Sequence, residues 1–156
     1  MDINKLQSLF RKHANHIARV KGWSSEGEGI PYYKAWLHAE ILLRLDLLII
    51  EHRNKYSADW EPLLGGRALS HLIFVRTGWS PTQITALSFS ETLLVLHQEL
   101  IALNIPMEVL VLPDSVRDGL AFEIHHQYPG QTALPPCSED EWNPSFSEIT
   151  QGLHNH

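Results

Sequence analysis

Ten histidines and one cysteine are the residues of this 156-residue chain best able to do chemistry. Imidazole titrates near neutral pH and is the commonest metal ligand. The histidines are His13, His16, His38, His52, His71, His97, His125, His126, His154 and His156. Helical di-metal sites draw a Glu-x-x-His pair from each of two helices. Glu123 and His126 supply one such pair, and the chain offers no second. There is no His-Glu-x-x-His, and one thiol cannot build a thiolate zinc site by itself. His38, His52, His71 and His97 fall on three different expected helices, so only the fold can bring them together. His38 with Glu40 or Asp46 could exchange protons, but any helical protein offers such pairs. Cys137 follows two prolines and lacks the helix start that would activate a thiol. Nucleophile-elbow and phosphate-loop patterns are absent, and Gly65-Gly66 reads as a turn. The sequence therefore assigns no catalytic residue, no metal ligand and no cofactor.

The elements that would position these residues are helices. In Tyr32–Tyr56, Trp36, Ala39, Leu43, Leu47 and Ile50 recur at spacings of three and four. Leu42 and Ile49 form a second line, and Ile41, Leu45 and Leu48 a third. A helix apolar on nearly every side is buried among other helices. Glu40–Arg44 and Glu51–Lys55 are i,i+4 pairs with the acid first, which mark a solvated edge. Arg44 and Asp46 interrupt the apolar run before it is long enough to span a membrane.

Residues 2–20 form an amphipathic helix on the pattern Ile3, Leu6, Phe10, His13, Ile17, Val20, capped by Asp2 and ended by Gly22. Pro31 suits the first position of the central helix. Arg67–Thr77 reads as a helix closed by Gly78. Ser80-Pro81-Thr82-Gln83 and Ser88-Phe89-Ser90-Glu91 are capping boxes, the second opening a helix from Phe89 to Leu103. MEVLVL at 107–112 is ambiguous between strand and short helix, and 115–127 favours helix; two strands here would make a hairpin. From Pro129 the composition turns to Pro, Ser, Gly and acids. The expected architecture is mainly α: a single-domain bundle (1–128) around a buried central helix, with room for one short β-hairpin in the C-terminal third. A Pro/Ser/acid-rich tail (129–156) follows, partly extended or docked.

Net charge is −6, which argues against general nucleic-acid binding and favours, weakly, a basic partner. The single cysteine and the lack of a signal-peptide pattern suit a cytoplasmic protein. Residues 1–22 carry five Lys/Arg against one acid, and 129–156 carry four acids and no Lys or Arg. In the tail, Trp142, Phe146, Ile149 and Leu153 repeat with helical spacing beside Glu139, Asp140 and Glu141. That pattern suits an amphipathic ligand for a partner's groove, or a segment docked on its own basic first helix.

Three functions follow. The leading expectation is a small acidic, non-catalytic protein-binding module of the adaptor, chaperone, antitoxin or immunity type, a homodimer if an apolar stripe is left exposed, with Trp142, Phe146, Ile149, Leu153, Glu139, Asp140 and Glu141 as contacts. The alternative is a DNA-binding regulator using the hairpin at 80–103, with Thr92 and Gln98 reading bases and Arg11, Lys12 and Arg19 on phosphates. Against it, Ser88–Leu103 holds no Lys or Arg and two glutamates. The third is a histidine-dependent metalloenzyme.

Overall fold

The structure, a computed structural model, describes residues 1–24, 30–117 and 134–153. Helix α1 (Ile3–Lys21) starts where the Asp2 carboxylate accepts the Lys5 N–H at 2.8 Å, and stops at Gly22 in the left-handed region (φ 70°). Its inner stripe buries Leu6, Leu9, Phe10, His13, Ala14 and Ile17, whereas Ile3 and Val20 at its ends remain exposed. Helix α2 (Tyr33–Tyr56) is the expected central helix. Leu42, Leu43, Leu45 and Ile49 are all fully buried, which places apolar neighbours around most of its circumference. Its largest interface is with α1, and Phe10 meets Trp36 edge to face at 5.0 Å. Pro31 does not open this helix: Ser24 and Pro31 form an isolated antiparallel bridge, and the Tyr32 N–H is tied to the Trp23 carbonyl at 2.8 Å. That bridge holds the chain extended for two residues past the expected start.

Helix α3 (Gly66–Thr77) ends at Gly78, also left-handed at φ 71°. Both capping boxes form, opening α4 (Pro81–Thr85) and α5 (Phe89–Val95). The single helix expected from Phe89 to Leu103 is divided. At the fully buried Leu96 the backbone leaves helical geometry (φ −93°, ψ 2°), and α6 (His97–Ala102) starts afresh. No Gly or Pro marks this break; the seating of Leu96 in the core accompanies it. Arg44 closes α6 by donating to the Leu100 and Leu103 carbonyls, both at 3.0 Å, while it pairs with Glu40.

Met107–Leu110 is a 3₁₀ turn, not a strand, and Gln7 of α1 fixes it through the Glu108 carbonyl at 2.7 Å. Residues 114–117 are helical, as expected for the start of 115–127. The remainder of that stretch, the boundary at 128–129 and the loop 25–29 lie outside the described residues. Among the described residues there is no strand, only two isolated bridges, and no helix long and apolar enough to cross a membrane. The last described stretch, 134–153, holds a non-helical run from 134, a 3₁₀ turn at Glu139–Glu141 and helix α7 (Ser145–Thr150). Trp142 therefore precedes α7 and does not share its stripe.

Candidate functional site

A stripe of polar groups inside an apolar helix needs partners, because each uncompensated one costs free energy. Helix α2 buries four, His52 among them, and the other three, His38, Asp46 and Arg53, are each at most 2 % exposed. Their spacings of eight and seven residues put them on one face. All three meet the C-terminal segment, which runs along α2 in the same direction.

At the first station, His38 Nδ1 is hydrogen-bonded to Glu141 and Nε2 donates to the Pro135 carbonyl at 2.7 Å. Glu141 is fully buried, and its other oxygen accepts from the Ser138 N–H and hydroxyl at 2.8 and 2.9 Å. Burial pushes the Glu141 carboxyl up, but the bonds from His38 and Ser138 outweigh it and hold the group below its ordinary value. Lys21 of α1 lies 3.2 Å from Asp140 and 3.9 Å from Glu141. Cys137 sits beside this pair, its thiol pushed up to about 12 by burial and then by the Glu141 charge.

At the second station, Asp46 accepts from His13 at 2.6 Å and from the Trp142 indole at 3.1 Å. Neither side chain of the Asp46–His13 pair is exposed. Trp142 also stacks on Phe89 of α5 at 5.7 Å, and Phe146 sits edge-on to His13 and His16. At the third, Arg53 donates to the Leu63 carbonyl at 2.8 Å, the Ser147 hydroxyl at 3.0 Å and Gln151 at 2.7 Å. Leu63 has a positive φ of 57°, a conformation that side chains with a Cβ rarely adopt. The Arg53 bond holds its carbonyl there. Glu148 accepts the Gly65 N–H at 3.0 Å, which ties α7 to the same turn.

The seven tail residues thus divide. Trp142 and Glu141 are buried, Phe146 is half-buried, and Glu139, Asp140, Ile149 and Leu153 are exposed. The docked arrangement is the one observed. Among the residues of the DNA-reading alternative, Gln98, Arg11, Lys12 and Arg19 are exposed, whereas Thr92 is buried and its hydroxyl donates to the Ser88 carbonyl. His52 and His71 meet at 2.7 Å beside Tyr56. Burial, with His71, Arg76 and Lys55 nearby, lowers His52 to about 4. Glu123 and His126 lie outside the described residues.

The other feature is an open groove of about 370 Å³ between α2 and the α5–α6 pair, roofed by residues 134–137. Leu94 and Ile101 stand on its lip, 73 % and 57 % exposed. No protein-family model, curated protein or solved structure matches this chain.

Proposed function

We propose that this chain is a small, acidic, non-catalytic protein-binding module of the adaptor, chaperone, antitoxin or immunity type. The observation that carries the reading is the Leu94–Ile101 lip. Two large aliphatic side chains seven residues apart stand in water on adjoining short helices, beside a groove lined by Ile41, Leu93 and Leu100. Isolated surface leucines are ordinary; a pair flanking an apolar groove is the anatomy of an interface. In this reading the occupant is a partner's apolar side chains, and net charge −6 favours a partner with basic groups around them. Away from that groove, the exposed acids Glu139 and Asp140 and the exposed Ile149 and Leu153 are further contacts in this reading, on a segment that Glu141, Trp142 and Phe146 anchor from beneath. A cytoplasmic setting belongs to the same reading.

The test is capture from the native host with wild-type protein and with Leu94→Ser/Ile101→Ser. The expected result is a stoichiometric partner retained by the wild type and lost by the double variant. A partner retained equally by both would remove this groove from the account. Sedimentation of the purified protein separates a heterologous partner from a second copy: a dimer that the same variant dissociates would make the lip a homodimer interface.

A further inference from the structure

We propose that His38, Cys137 and Glu141 form a binding site for a zinc-class divalent ion that clamps the C-terminal segment to α2, with its fourth coordination position toward the groove. One ligand atom from each, a ring nitrogen, Sγ and a carboxylate oxygen, lies within 4.8 Å of the other two, and all three residues are buried. Thiolate, imidazole and carboxylate are the three side-chain ligands zinc takes, and three of them around a centre with one position open is an established arrangement.

The hydrogen bonds around the site are those that orient ligands. A metal-bound histidine usually gives its other ring N–H to a carbonyl or carboxylate. His38 does this: Nε2 donates to the Pro135 carbonyl, which turns Nδ1 toward Glu141. The proton that Nδ1 shares with Glu141 in the ion-free site gives way to the ion, which then takes the imidazole lone pair and the near carboxylate oxygen. The rest of Glu141 is already committed, since its far oxygen takes both Ser138 donors and lies 3.9 Å from Lys21. Its near oxygen is left for the site. Cys137 completes the triangle from four residues upstream, and with His38 it lines the groove, so the open position is reachable by water or a partner's donor atom.

Binding is an acid–base exchange without redox change. The thiol gives its proton to solvent, and any proton shared by His38 and Glu141 is released as well. Affinity therefore rises with pH. Burial that keeps the free thiol protonated is offset by the ion's charge, as for any coordinating thiol. The clamp is independent of the partner-binding reading: failure of either leaves the other standing.

The test uses untagged full-length protein stripped with chelator, titrated with Co²⁺ and Zn²⁺. The expected result is one ion per chain at micromolar concentrations, a thiolate-to-cobalt charge-transfer band, and a higher Tm with Zn²⁺. Loss of an outer-shell partner alone typically costs about 10–100-fold in affinity, so Cys137→Ser should cost more than about 100-fold and abolish the band. A zinc-edge absorption spectrum of the wild type needs no variant and should show one sulfur at about 2.3 Å. No binding at micromolar metal, or a bound ion with only nitrogen and oxygen neighbours, overturns the proposal; the latter would place the ion on surface histidines.

Discussion

The two faces of α2 are built on opposite principles. Toward α1 and the C-terminal segment, where water is excluded, it presents Asp46 and Arg53, with His38 where this seam meets the groove. Toward α5 and α6, where a groove is open, the lip is Leu94 and Ile101. An ordinary domain hides its apolar groups and wets its polar ones. Buried polar groups add little net stability but penalise every arrangement that leaves them unpaired. A tail shifted by one residue would strand Asp46, Glu141 and Arg53 together. The seam therefore fixes where the tail sits, and the open face carries no such constraint.

The largest expected effect falls on the closed side. Trp142→Ala removes an indole packed on Phe89 and the donor to Asp46, and should cost about 3–5 kcal/mol in urea unfolding. Asp46→Ala strands His13 and Trp142 and should cost a similar ~3–5 kcal/mol. Because both act through one carboxylate, the double variant should cost clearly less than the sum of the two. Additive losses would mean that the tail and α2 are not coupled. Deleting 138–156 should accordingly lower Tm steeply, the outcome expected of an internal dock and not of a free ligand segment.

The open side should behave in reverse. Leu94→Ser and Ile101→Ser should each change stability by no more than about 0.5 kcal/mol, as exposed substitutions do, while reducing partner capture. A loss of several kcal/mol would show the lip to be core.

An intermediate effect comes from the His52–His71 pair. His52 is held neutral in the folded chain, at about 4 against an ordinary value near 6.5. A histidine with a lowered folded pKa binds protons in the unfolded state first. Its contribution is therefore complete above pH 6.5, is lost as pH falls from 6.5 to 4, and changes no further below that. With allowance for screening near the rim, the loss is roughly 1–2 kcal/mol. His52→Gln should flatten that window relative to wild type; an unchanged pH profile would contradict it.

Much of the closed face was legible in the sequence and little of the open one. The three apolar lines of α2 required a buried helix. His13 entered the stripe of α1 by spacing alone and Asp46 only interrupted an apolar run, so neither named a buried polar partner. What periodicity could not supply was the pairing, since Asp46 with Trp142 and His38 with Glu141 join residues about a hundred positions apart. The helical repeat through Trp142, Phe146, Ile149 and Leu153 marked an amphipathic segment, left open whether it meets a partner or its own domain, and misassigned the geometry. Asn143 and Pro144 delay the helix to Ser145, so Trp142 enters the core from an extended backbone. The break at Leu96 had no local mark at all, and it separates the helices that carry the exposed lip.

The most direct measurement is hydrogen exchange of the tryptophan indoles by NMR, with Trp142 assigned through Trp142→Phe. Trp60, 88 % exposed, supplies the reference within the same molecule. If residues 134–151 are part of the core, the Trp142 indole proton exchanges only on global unfolding, orders of magnitude more slowly than that of Trp60. Exchange of Trp142 at the Trp60 rate would contradict the docked segment and the polar seam that holds it.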